Sequence, residues 1–162
     1  MTTDPDAHTT PPVTSRPADI LLVEDSPSDA AMTVHALHEG GARHRVHVVG
    51  DGQDALAFLH RRGRYTVAPR PDLILLDLNL PRIDGRDVLT RINTDEHLRG
   101  IPVIVLTTSS TDTDIQRAYH SGANSYVSKP IGLDDFLRAI HGIERLWLNP
   151  ARLPQEFRNR IP

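Results

Sequence analysis

The sequence predicts an α/β fold, a doubly wound five-stranded parallel sheet covered by five helices. Three observations carry that prediction. Five short apolar runs recur along the chain: Ile20–Val23, Val46–Val49, Leu73–Leu76, Val103–Leu106 and Tyr126–Val127. The clearest of them do not alternate with polar residues, which suits strands covered on both faces. Helix-period patterns fill the gaps, so strand and helix alternate five times in about 125 residues, the signature of βα units.

Residues 1–18 are mostly Thr, Pro, Asp and Ser, have almost nothing to bury, and read as a disordered tail. The domain then runs over 19–146. After the first strand, Ser26–Pro27 places a capping hydroxyl before a first-turn proline. Ala30, Val34 and Leu37 share one face of the next helix, and Gly40–Gly41 stops it. Ala55, Phe58 and Leu59 mark the second helix, and Val88, Leu89 and Ile92 the third. Ile115, Ala118 and Tyr119 mark the fourth, closed by Gly122; Leu133, Phe136, Leu137 and Ile140 mark the fifth. Residues 147–162 form a short C-terminal extension.

Composition removes several function classes. The 162 residues suit one domain. No run is long enough to span a bilayer, and the Met-Thr-Thr-Asp start does not resemble a signal peptide, so no membrane role and a cytoplasmic location are expected. Without cysteine there are no disulfides and no thiolate chemistry. A formal charge of -3 argues against a protein that coats nucleic acid.

The residues just beyond the apolar runs are chemically pointed: Glu24 and Asp25 after the first, Asp77 after the third, Thr107 at the end of the fourth, Lys129 soon after the fifth. In an open α/β sheet the carboxyl ends of the strands line the ligand crevice, so these groups should converge. Three carboxylates packed together repel and stay ionised only around a cation. Oxygen donors with room for water suit Mg²⁺. One carboxylate could then attack a phosphoryl group to give an acyl phosphate, with Lys129 and the metal neutralising its oxygens.

Val23-Glu24-Asp25-Ser26, Leu75-Leu76-Asp77-Leu78-Asn79-Leu80-Pro81, Leu106-Thr107-Thr108-Ser109, Gly122-Ala123 and Lys129-Pro130 together resemble the receiver domain of two-component response regulators. The resemblance implies a flavodoxin-like sheet in the order 2-1-3-4-5. It implies that Asp77 is the phospho-acceptor, and that Asp25 binds Mg²⁺ directly and Glu24 through water. The Asn79 backbone carbonyl would complete the protein's metal ligands. Thr107 and Lys129 would contact the phosphoryl group, Tyr126 would be the aromatic switch that moves with Thr107, and the Lys129–Pro130 bond would be cis. The acidic pair is Glu-Asp where Asp-Asp is commoner. The implied activity is phosphoryl acceptance and hydrolysis on the chain's own aspartate, not turnover of a substrate as an enzyme. A sensor histidine kinase is the implied donor.

Within that family, residues 75–86, 106–110, Trp147-Leu148 and Leu153-Pro154 are similar to regulators paired with bacterial phytochrome kinases. This implies a bacteriophytochrome partner and a homodimer through the fourth helix, fifth strand and fifth helix. Leu146, Trp147 and Leu148 are too apolar to leave in water and either meet a second copy or fold back on their own domain. Two other functions stay open at this point. One is a phosphorylation-independent scaffold. The other is a Mg²⁺-dependent aspartyl-phosphate phosphatase, although Asn79 stands where that chemistry wants a second Asp. His35/His38 and His44/His47 read as ordinary surface or boundary histidines rather than metal ligands, and Arg61, Arg62, Arg64 and Arg70 as a solvated loop.

Overall fold

A computed structural model describes residues 17–39, 44–108 and 111–148. Within them five parallel strands form one sheet in the order β2-β1-β3-β4-β5. The strands are β1 (Asp19–Val23), β2 (Arg45–Val49), β3 (Leu73–Leu76), β4 (Val103–Thr107) and β5 (Ser125–Ser128). The helices between and after them are α1 (Pro27–Glu39), α2 (Gly52–Leu59), α3 (Gly85–Thr94), α4 (Asp112–His120) and α5 (Leu133–Ile143), the last running into a wide π turn over Glu144–Leu148. The tail, Gly40–Gly41, Ser109–Ser110 and the extension beyond Leu148 lie outside the described residues.

Alternation along each central strand sends side chains to two cores. On one face Leu21, Val23, Ile74, Leu76, Val103 and Val105 pack against Ala55, Phe58, Val88, Leu89, Ile92 and Ala118 of α2, α3 and α4. On the other, Ile20, Leu22, Leu73, Leu75, Ile104 and Leu106 meet Ala30, Ala36, Leu37, Phe136, Ile140 and Ile143 of α1 and α5. Every residue of β1, β3 and β4 is buried, whereas β2 and β5 at the sheet's edges are not. The edge positions explain why their sequences are less uniformly apolar.

Local signals act as their chemistry requires. The Ser26 hydroxyl accepts from the Asp29 amide at 3.3 Å, capping α1. Asp51 and Asp84 cap α2 and α3 in the same way. Thr111 caps α4, its hydroxyl accepting from the Asp114 amide at 3.2 Å. Gly122 closes α4 with φ +102°, its amide donating to the Tyr119 carbonyl and the Ala123 amide to the Ala118 carbonyl.

The structure departs from expectation at three positions. Tyr119 is 49% exposed instead of buried. Its hydroxyl accepts from the Tyr126 amide at 3.2 Å, supplying a partner on β5, the edge strand among the described residues. Leu133 has the right spacing for the core face of α5 but, as the helix's first residue, is 56% exposed. The Lys129–Pro130 bond is trans, there being no cis peptide among the described residues; trans is the ordinary preference even before proline.

Candidate functional site

β1 lies between β2 and β3, so the chain leaves its carboxyl end toward one side while β3 is reached by crossing over. A crevice opens at such a switch point. Glu24 and Asp25 come directly after β1 and Asp77 directly after β3, and each offers a carboxylate oxygen within 4.8 Å of the others. Glu24 and Asp77 are buried; Asp25 is exposed at the mouth.

Asp77 is held on both oxygens. Oδ1 accepts from the Thr107 hydroxyl at 2.9 Å and from the Asn79 amide at 3.0 Å. Oδ2 accepts from Lys129 Nζ at 3.0 Å. Thr107 and Lys129 are delivered by the carboxyl ends of β4 and β5, the Lys129 amide being tied to the Thr107 carbonyl at 2.8 Å. Thr107 is fully buried, with its hydroxyl turned toward Asp77. Tyr126 is partly buried and packs against the α2–α3–α4 core.

Lys129 is the only lysine in a chain whose other 17 Lys/Arg cations are arginine. Its ammonium, 6% exposed, also bonds Glu24 Oε2 and reaches Asp29 Oδ2 at 3.0 Å. Burial alone would favour the neutral amine, but its hydrogen bonds to Glu24, Asp77 and Asp29 outweigh it and raise its pKa. Glu24 shows the opposite balance. Burial raises its carboxyl above the ordinary 4.5, and the bonds from Lys129 and the Ser26 amide only partly offset that. Three carboxylates thus share one ammonium, with Asp25 a fourth beside them.

The donor set fits a hard divalent cation. It consists of carboxylate oxygens, one of them open to water, with negative charge left uncompensated. Glu24, Asp25 and Asp77 are the residues that could hold it. Asn79 enters through its amide, which fixes Asp77, rather than through any observed carbonyl contact.

Two residues of the site were not evident from the sequence. Asp29 looks like a first-turn acid of α1, and only the return of Lys129 from β5 reveals its second role. Gly85 opens α3 against the loop after β3. A Cβ there would lie 2.3 Å from the Asp77 carbonyl oxygen and 2.6 Å from Leu78 Cα, so glycine lets the helix brace the Asp77 backbone. The signal for Lys129 was present as its solitude, since a lone lysine among arginines is the cation able to serve as a compact point charge. Leu146 is 64% exposed, while Trp147 and Leu148 are half-buried against the α1–α5 core.

Comparison with known proteins identifies the family. Residues 20–141 match the response regulator receiver domain. Response regulator Rcp1 of Synechocystis sp. is 44% identical over 138 residues, covering 85% of this chain and 94% of that protein. The structure of the phosphorylated cyanobacterial phytochrome response regulator RcpA superposes with a TM-score of 0.81 at 44% identity, over 86% of this chain and 99% of the other. The Mn²⁺-bound form of Rcp1 gives 0.80 at 43% identity, over 85% and 99%. The chain belongs to the response regulator receiver family.

Proposed function

We propose that Asp77 takes a phosphoryl group from the phosphohistidine of a sensor histidine kinase and that the modified surface signals by protein contact in the cytoplasm. The observation that carries this is the Asp77 carboxylate. It is buried at 7% exposure, oriented on both oxygens by Thr107, Asn79 and Lys129, and set beside two further carboxylates. In the transfer an Asp77 oxygen forms a bond to phosphorus as the histidine nitrogen–phosphorus bond breaks, the nitrogen keeping the electron pair. Lys129 neutralises and Thr107 hydrogen-bonds the arriving oxygens. Mg²⁺, when bound by Glu24, Asp25 and Asp77, supplies the positive charge that this cluster lacks; the Asn79 carbonyl is its further proposed ligand. Tyr126 reads out the position of Thr107. A donor kinase of phytochrome type is supported by the 44% likeness to phytochrome response regulators.

Incubation with Mg²⁺ and acetyl phosphate should give an acid-stable, base-labile adduct that is absent in Asp77→Asn. A wild-type protein that never labels, even with a phytochrome-type kinase, would leave the scaffold reading.

We further propose that the protein dimerises, with Leu146 at the contact. Trp147 and Leu148 turn toward their own domain, but Leu146 is left in water, as are Tyr119 of α4 and Leu133 of α5. The mass by light scattering should be that of a dimer and fall toward a monomer in Leu146→Glu. A wild-type monomer at every concentration rejects the proposal.

A further inference from the structure

Far from the phosphoryl site, at the amino-terminal edge of the sheet, His44 precedes β2 and is buried with its side chain 6% exposed. Neither ring nitrogen has a hydrogen-bond partner among the described residues, and both are out of water. Nε2 faces Glu144 Oε1 at 4.0 Å, too long for a hydrogen bond. The other carboxylate oxygen of Glu144 is likewise buried and unpaired. Glu144 opens the π turn that carries Leu146, Trp147 and Leu148.

The remaining titratable neighbours come from the packed helices and from β2. On α1, His38 Nε2 lies 3.3 Å from the His44 carbonyl oxygen, and Glu39 sits 3.4 Å from His141 Nε2 of α5. On β2, Arg45 and His47 are engaged with Asp19. Arg145, on the same turn as Glu144, is exposed.

We propose that His44 is a pH-sensitive latch for the C-terminal turn: neutral His44 keeps Glu144–Leu148 packed on the α1–α5 core, and protonation releases Trp147 and its neighbours. An uncharged imidazole can remain in this dry position, at the cost of two unmade hydrogen bonds. A charged one meets a desolvated surround with a second imidazole, His38, close enough to repel it, and a carboxylate too distant to bond it without movement of the turn. The turn is the element able to move, because it is one irregular helical turn with no fully buried residue, whereas β1 and α1 are held by the sheet and core.

The pH effect has one direction. Burial lowers the His44 pKa below the ordinary 6.5, Glu144 opposes that, and His38 adds to it. The unfolded or released state therefore binds the proton more readily. Packing is complete above 6.5 and is lost as pH falls through that value toward the lowered one.

Trp147 is the chain's only tryptophan, so its emission reports the latch directly. On acidification the emission should shift to the red, with a midpoint below 6.5. Glu144→Gln removes the carboxylate that favours the charged ring and should move the midpoint to lower pH. His38→Gln removes the like-charged neighbour and should move it to higher pH. His44→Leu should abolish the transition. Emission independent of pH, a midpoint unmoved in both flanking variants, or a transition that survives in His44→Leu would each overturn the proposal. The two flanking variants keep the test decisive if His44→Leu fails to fold.

Discussion

The two ends of the sheet confine their buried charged and polar groups by opposite means. At the carboxyl end, Glu24, Asp25, Asp29 and Asp77 gather around one ammonium, so the cluster carries excess negative charge although its inner oxygens are hydrogen-bonded. At the amino end the buried carboxylate of Asp19 is paired with the Arg45 guanidinium at 2.9 Å and hydrogen-bonded to the His47 ring at 3.1 Å, while His44 nearby is left without any hydrogen bond to its ring. The first arrangement is saturated in hydrogen bonds and short of positive charge. That is the condition in which a divalent ion binds, its charge then favouring the ionised carboxylates. The second is balanced in charge around Asp19 and short of hydrogen bonds at His44, a condition that responds to protons and not to metal. One sheet edge is thereby suited to phosphoryl chemistry and the other to sensing its surroundings.

The contrast predicts very different costs for removing a cation from each end, and the larger belongs to Lys129. Lys129→Ala leaves Glu24 and Asp77, both buried, without their shared counter-charge. Breaking a buried pair from one side costs about 3–5 kcal/mol. Because the deficit is one of charge, a divalent cation should restore part of it, on the order of 2.7 kcal/mol at a hundredfold excess over its dissociation constant. Urea unfolding of wild type and Lys129→Ala, each with Mg²⁺ and with chelator, checks this. Equal stability of the two proteins in chelator would show that the cluster does not depend on the ammonium, and the account of the site would fail.

How much of this was legible in the sequence depended on the range of the interaction involved. β1, β3 and β4 were readable from runs such as Leu73–Leu76 because complete burial leaves no polar position in a strand. Glu24, Asp25, Asp77, Thr107 and Lys129 were readable because each stands at or beyond the end of an apolar run, and parallel strands bring all such positions to one edge. Asp29 was not, since a first-turn acid has a sufficient local explanation and its contact with Lys129 spans 100 residues. Gly85 was hidden because nothing local announces that a helix start will touch the Asp77 backbone. His44 reads in the sequence as an ordinary surface or boundary histidine; its burial comes with the π turn at Glu144, which no periodicity foretells. Tyr119 has core spacing, yet the needs of an edge strand drew its hydroxyl outward.

The smaller cost is that of Arg45. Its guanidinium forks onto both oxygens of Asp19, at 2.9 and 3.0 Å, which by geometry alone resembles a strong pair. But the arginine side chain is 60% exposed, so water screens the attraction, and His47 remains as a second partner when it is removed. Arg45→Ala should therefore cost less than about 1 kcal/mol at neutral pH. Its clearer signature lies in acid. Burial raises the Asp19 pKa, but the bonds from His47 and Arg45 outweigh that and hold it below the ordinary 3.8. A lowered carboxylate contributes stability above its unfolded value and loses it as pH falls through the folded one. Without Arg45 the folded pKa moves back toward 3.8, and the acid-induced loss of stability near that pH becomes shallower. Unfolding midpoints in urea across the acid range would show it. A loss of several kcal/mol at neutral pH, comparable to that of Lys129→Ala, would mean that exposure does not separate the two ends of the sheet.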